Sequence, residues 1–332
     1  MKKEGFVKEI LGEWGITGNY ETVTLDDGFS SNNIIVKIGE RKLVLRKVYL
    51  PKEVIHNGAG VYNYLYEVGL NVPAILQTNK GDYSVGSEEG QYVLQTFIEG
   101  EERITGELFI KNLGGFAQLF GLLHRTLYES EKKRWRSAGK YFMDHTLLIN
   151  RIKEVDSTWL AIPDIQYVRD QHSQWVNELK EIPLKKLTKG VIHGNIGPNA
   201  NIIHINGKIS GFTNFFEARY GYYLFDLATF MMYGQLFHKD NAELTKHFLL
   251  SYLDTGPIRR KEIKYLRFFL RMRFLLQVMF FAKRTEMDHL QGVESKKENL
   301  QGFEDGIKFL KILDDVPKGH FAKLIEGSYS IV

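Results

Sequence analysis

The residues best suited to chemistry lie between Val191 and Ala218. The stretch runs Val191-Ile192-His193-Gly194-Asn195, then Ile196-Gly197-Pro198-Asn199-Ala200-Asn201, and on to Thr213-Asn214-Phe215-Phe216-Glu217. Three asparagines stand out: Asn195, Asn201 and Asn214. A carboxamide oxygen can orient a hydroxyl group, but it is far too weak a base to take the proton. Losing general-base help typically costs about 10²–10⁴ in rate. As a ligand to a hard cation the same oxygen brings no net charge, whereas Mg²⁺ prefers charged oxygen ligands and gives up water reluctantly. The stretch therefore has the side chains to position a hydroxyl and to touch a cation, without the charge to drive either process. His193 reads as a brace for its loop. Asp226, opening the helical run Asp226-Leu227-Ala228-Thr229-Phe230, has the residue type of a helix N-cap.

These residues need a scaffold, and the patterning supplies one. Apolar runs on either side of Ile205-Asn206-Gly207-Lys208 predict a tight hairpin that brings the Asn195 and Asn214 loops to its open end. Upstream, Phe6, Ile10, Leu11 and Trp14 have helical spacing. The period then changes to two, with strands expected at Glu21–Leu25, Ile34–Ile38 and Lys42–Val48. A helix is expected over about Lys52 to Val68, a fourth strand after Asn71–Ile75, and a fifth at Gln91–Ile98. From there to about residue 180, and again from 223 to 316, the pattern is helical. The fold class is α+β: a lobe with a five-stranded antiparallel sheet and one helix (1–99), then a larger, mainly helical lobe (100–332). The boundary falls near 95–100, and the second lobe holds loops 193–201 and 211–217. No internal repeat or low-complexity linker is visible.

Composition narrows the classes. The chain has 332 residues, 43% hydrophobic and 25% charged, enough for a sizeable core. Cysteine is absent, which excludes disulfides, thiolate zinc sites and cysteine nucleophiles. The net charge of +4 comes from scattered basic groups such as Lys132-Lys133-Arg134, a poor footprint for nucleic acid. The N-terminus alternates charged and apolar residues and lacks the apolar core of a signal peptide. The most apolar helix, Phe268 to Phe281, is interrupted by Arg271, Arg273 and Gln277 and reads as a core helix. A cytoplasmic protein without membrane insertion is expected.

Taken in order, the motifs resemble the kinase-like phosphotransferase superfamily, which includes aminoglycoside phosphotransferases, choline kinases, homoserine-kinase-type enzymes and spore-coat CotS-type proteins. The resemblance runs from about residue 10 to about residue 320. Its strongest stretch is His193-Gly194-Asn195 through Asp226-Leu227-Ala228, where the family has histidine–glycine–aspartate, a later asparagine, a second aspartate, and aspartate–leucine–alanine. Phe116 to His124 resembles the family's helix ending in leucine–histidine, and Phe97-Ile98-Glu99-Gly100 its hinge. The resemblance implies a two-lobed protein-kinase-like fold.

It also implies roles. Gly28, Ser30 and Ser31 would cover ATP phosphates from the first turn of the sheet, although an ordinary hairpin turn has the same composition. Arg46 takes the place of the third-strand lysine that contacts phosphates; Lys47 should face the other way. Gln95 and Phe97 would lie at the hinge that meets adenine. Asn195 stands at the catalytic-aspartate place and Asn214 at the metal-aspartate place. Asn201 keeps the second metal-ligand place if one extra residue lies within Ile196–Ala200, with Asn199 the fallback. Glu217 is a further candidate for the metal, and Asp226 braces the catalytic loop. A glutamate normally paired with the basic residue falls near Gly58, where none exists; Glu53 is a weak substitute.

Two functional readings follow. In the first the chain is a pseudokinase or strongly impaired kinase, because both aspartates are replaced; this leaves room for a protein partner. In the second it is an active ATP-dependent kinase acting on a hydroxyl of an amino alcohol, amino acid or sugar-like compound. ATP and Mg²⁺ are the cofactors of the second reading, with metal binding weakened by the two amides.

Overall fold

The computed structural model describes residues 2–25, 33–88, 90–133, 164–286 and 292–327. Gly28, Ser30 and Ser31 lie outside the described residues. The chain forms two compact units. One takes in Met1–Ile104 and Asn201–Ala218; the other takes in the described residues from Thr105 to Ala200 and from Arg219 onward.

The first unit starts with helix α1 (Lys2–Gly12) and a meander of β1 (Glu21–Leu25), β2 (Asn33–Ile38) and β3 (Arg41–Val48). Helix α2 (Lys52–Glu67) precedes β4 (Val85–Ser87) and β5 (Gly90–Thr96). Strand order is β1-β2-β3-β5-β4, every neighbour antiparallel. Strand alternation separates the two faces. Leu43 and Leu45 of β3 pack with Ile34, Val36 and Leu94 against Val7, Ile10 and Leu11 of α1. Arg46 belongs to the opposite face. The fourth strand falls later than expected, at Val85–Ser87. Ile75 makes only an isolated bridge to Gln95, because Pro73 has no N–H and the Val72 amide bonds to Leu70 instead.

Still in order, the second unit begins with α3 (Gly106–Lys111), α4 (Leu113–Lys133), α5 (Ile165–Leu179) and strand β6 (Lys189–Ile192). The chain then returns to the first unit for the hairpin of β7 (Ile202–Ile205) and β8 (Lys208–Phe212). Asn206 (φ 50°) and Gly207 (φ 77°) are both left-handed, the requirement of a type I′ turn. The hairpin is tied into its unit by Phe212 N–H donating to Asn71 O (3.0 Å) and by reciprocal amide bonds between Glu101 and His204 (2.9 and 2.8 Å). Gly100 (φ 130°) makes that approach feasible, since a Cβ there would lie 2.6 Å from His204 O. The hairpin thus groups with the sheet, whereas the sequence division near 95–100 leaves it with the helices.

The rest of the second unit is β9 (Arg219–Tyr222), α6 (Tyr223–Tyr233), α7 (Ala242–Thr255), α8 (Leu266–Glu286), α9 (Gly292–Asp314) and α10 (His320–Glu326). Strand β9 pairs with β6, a pairing the sequence did not suggest. The core is aromatic: Phe230 of α6 stacks between Phe120 of α4 (4.8 Å) and Phe248 of α7 (4.9 Å). Arg271 of α8 has no exposed side-chain surface. Its Nε donates to Gln171 Oε1 (3.1 Å), Nη1 to Glu178 Oε1 (2.7 Å) and Nη2 to Asp314 Oδ1 (3.4 Å). Helices α5, α8 and α9 therefore share one buried cation. Breaking such a network by removing one member costs about 3–5 kcal/mol. Arg271→Ala is expected to lower unfolding free energy by about 3 kcal/mol or more, and Arg271→Met by less because packing is kept; urea denaturation of both variants checks this.

Candidate active site

In the first unit, two residues singled out from sequence meet at one point. Arg46 Nη2 donates to Asn214 Oδ1 at 2.9 Å. Its Nε is shielded from solvent and has no partner. Lys47, on the other face of β3, places its ammonium 5.1 Å over the Tyr49 ring. Asn214 has φ 65° and ψ 41°, a left-handed conformation that asparagine tolerates well, and it opens a 3₁₀ turn over Phe215–Glu217. The Glu217 side chain lies outside the described residues.

Helix α2 explains the missing glutamate. A Cβ on Gly58 would lie 2.6 Å from Phe216 Cα and 3.1 Å from Phe215 O. No larger side chain fits between α2 and that turn. Tyr62, one turn along, sits edge-on against Phe215 (5.3 Å) and Phe216 (5.1 Å). Burial raises the Tyr62 hydroxyl pKa, against the opposing charge of Arg46. Glu53 pairs with no cation among the described residues. The guanidinium is thus anchored by a neutral amide on the turn, not by a carboxylate on the helix.

Asn201, also left-handed (φ 65°), donates its amide to Glu102 Oε1 (2.5 Å), and its carbonyl accepts from Thr213 N–H (3.0 Å). The segment read as holding an extra residue forms a closed turn in which Gly197 and Ala200 exchange two amide bonds of 2.9 Å. Asn199 at its tip is exposed. Gln95 is buried in β5, with an unpartnered Oε1. Phe97 follows the strand, lies under the Lys42 ammonium (5.2 Å), and donates its amide to Lys42 O (3.4 Å). Among the described residues no group of three or more acidic, histidine or cysteine side chains could hold a metal ion.

The second unit holds the Asn195 loop. Asp226 is fully buried and accepts from the amides of His193 and Gly194, both at 2.7 Å. Helix α6 begins at Tyr223, so Asp226 lies inside its first turn and is not the N-cap its residue type suggested. His124 Nε2 donates to Asp226 Oδ2 (3.3 Å), and Tyr252 O–H donates to His124 Nδ1 (2.7 Å), a consistent assignment for a neutral imidazole. Burial lowers the His124 pKa. For Asp226, burial pushes upward, but the hydrogen bond and charge of His124, the charge of His193 and the Gly194 amide hold the carboxyl below its ordinary value. His193 Nδ1 accepts from the Asn195 amide (3.3 Å), bracing the loop as expected. The Asn195 side chain receives the Tyr233 hydroxyl on Oδ1 at 2.8 Å. Gly197 lets that tyrosine lie against the loop, since a Cβ there would be 2.5 Å from the Tyr233 Cβ.

A family model described as the phosphotransferase enzyme family matches residues 21–263. The chain belongs to that family. Among solved structures, a microcompartment-associated aminopropanol kinase has TM-score 0.72 at 15% identity, covering 97% of this chain and 99% of its own. An amicoumacin kinase in complex with AMP-PNP and Ca²⁺ has TM-score 0.68 at 14% identity, covering 96% and 97%. A choline/ethanolamine kinase family protein from Mesorhizobium loti has TM-score 0.65 at 17% identity, covering 98% and 99%. These neighbours carry the kinase-like fold, as the motifs implied. No curated protein matches in sequence. Among the described residues no helix is long and apolar enough to cross a membrane.

Of the residues singled out from sequence, Arg46 and Asn214 share a hydrogen bond and Asp226 holds the Asn195 loop; Tyr233 is not among them. The missed signal was Gly197, whose lack of a side chain admits that ring. Two outcomes follow. Asp226→Asn leaves one loop amide facing an NH₂ group and removes a buried charge, so it should lower stability by about 3 kcal/mol or more in urea denaturation. The low folded pKa of His124 means that the unfolded state takes up a proton below about pH 6.5 while the folded state does not. Stability should fall as pH drops below that value, and the slope should shrink in His124→Gln. The depressed Asp226 adds a second loss below about pH 4.

Proposed function

We propose that this member of the phosphotransferase family binds a nucleotide at Arg46 and has lost, or strongly reduced, phosphoryl transfer. The observation that carries this reading is the Arg46–Asn214 hydrogen bond. The oxygen at the metal-aspartate place is neutral, and a guanidinium already donates to it. A divalent cation there would meet an amide and a positive charge, so these residues do not fit Mg²⁺ well. A phosphate does fit: Arg46 has a shielded, unpartnered Nε and a planar fork matched to phosphate oxygens.

Two supports come from the acid/base place. Asn195 has an amide where a base is needed, and the Tyr233 hydroxyl donates to its oxygen. Positioning and electrostatics dominate phosphoryl transfer, so losing a base alone need not abolish it; losing the metal carboxylate as well removes the electrostatic part. The neighbours named as kinases have the same fold at 14–17% identity, which leaves this chain's own chemistry to its residues.

Calorimetry with ATP, with and without Mg²⁺, tests the reading on wild type, Arg46→Gln and Asn195→Asp/Asn214→Asp. Arg46→Gln should weaken ATP binding about tenfold, the effect of one charge-assisted hydrogen bond. Added Mg²⁺ should change wild-type affinity little and the double variant's markedly. ATP-dependent phosphorylation of any small hydroxyl compound by the wild type, at rates ordinary for kinases, would overturn the reading.

A further inference from the structure

Helix α8 carries arginines at 267, 271, 273 and 284, and the first three are treated differently. Arg271 is fully paired, as described. Arg267 donates to Val316 O (2.9 Å) and Leu313 O (3.2 Å) and lies 3.7 Å from Glu178. Arg273 lies about 200° around the helix from Arg271. Its guanidinium carbon is 6.0 Å from the ring centroid of Tyr233. It is half-buried, its Nε is shielded from solvent without a partner, and it pairs with no carboxylate among the described residues. A shielded donor left this way in a finished fold calls for an explanation.

Its surroundings say what kind of ligand. The Tyr233 hydroxyl donates to Asn195 Oδ1 at 2.8 Å, so Arg273 stands one aromatic ring away from the Asn195 loop. Arg219 lies against the same loop: a Cβ on Gly194 would be 3.3 Å from its Nε. Asp226, the carboxylate bonded to the His193 and Gly194 amides, is fully buried and also engaged by His124. One guanidinium, Arg219, thus lies against the loop at Gly194, and a second, Arg273, lies one ring away beside Tyr233. Such a place attracts an oxyanion and repels an amine.

We propose that Arg273, beside the Tyr233 ring, is the subsite for the carboxylate or phosphate group of a small molecule received at the Asn195 loop. The substrate class differs from the amino alcohols named for some of the neighbours. A guanidinium fork binds either oxyanion through two parallel N–H donors. The proposal rests on reading the Asn195 loop as a ligand-binding loop, and does not require phosphoryl transfer.

The test is calorimetry at fixed ionic strength with inorganic phosphate, glycerate, glycerol and ethanolamine, in the Arg46→Gln background so that the nucleotide place does not contribute. At least one of the two anions should bind, glycerol and ethanolamine should not, and the tighter anion identifies the group. Arg273→Gln should weaken anion binding about tenfold or more, and Arg273→Lys should keep part of it. Removing an unpaired guanidinium should leave the thermal midpoint near that of the parent; if Arg273→Gln fails to fold, Arg273→Lys carries the comparison, because loss of the planar fork alone should reduce affinity. Absence of anion binding, or equal binding with and without the Arg273 fork, overturns the proposal. ATP titrations with Arg46 intact, on wild type and Arg273→Gln, report separately on the nucleotide reading, which can fail while the anion subsite stands.

Discussion

The close approach of Gly58 to the backbone of Phe216 governs the first unit. A Cβ would stand 2.6 Å from the Phe216 Cα, so α2 carries no side chain at the point where an acidic partner for Arg46 would project. With the helix unable to supply a carboxylate, the guanidinium turns to the nearest strong acceptor, Asn214 Oδ1. The side-chain-free point on α2 and the Asn214 acceptor are therefore parts of one arrangement. A tight aromatic joint, with Tyr62 edge-on to Phe215 and Phe216, links the helix and the turn. Apolar contact of this kind is far less sensitive to salt and to protonation than an ion pair.

The second unit keeps its carboxylate where structure demands it. Asp226 satisfies two loop amides and orders His124 and Tyr252 behind them. A fully buried charge survives only with such a complete set of partners. The loop that bears Asn195 thus rests on a buried, fully bonded carboxylate, while the Asn195 side chain itself is neutral.

Much of this was legible in the sequence because it depends on local rules. The alternation of β2 and β3, the helical spacing of α2 and the Asn206-Gly207 turn each follow from residue type and period, and each falls within a residue or two of expectation. Arg46 was separable from Lys47 by strand alternation alone. What was not legible depends on contacts distant in the chain. The β6–β9 pairing joins short runs separated by the hairpin. The tie between Glu101 and His204 assigns that hairpin to the sheet unit. Asp226 looked like a cap because its helix starts three residues earlier, on aromatic residues that give no start signal. Arg273 reads only as part of a core helix, because no local pattern marks which residue of an apolar helix has a polar neighbour.

The left-handed backbone at Asn201 and Asn214 has a consequence for descent. Both residues sit at φ 65°, where most side chains cost about 1–2 kcal/mol and where glycine, asparagine and aspartate are the residues tolerated. The main chain therefore confines these two positions to a very short alphabet, whatever the chemistry. Within that alphabet amide and carboxylate differ by a single base in the codon and by almost nothing in shape. Charge at Asn201 or Asn214 can be gained or lost in one mutational step without rebuilding the hairpin, so the chemistry of these positions can change far more readily than the way they are held.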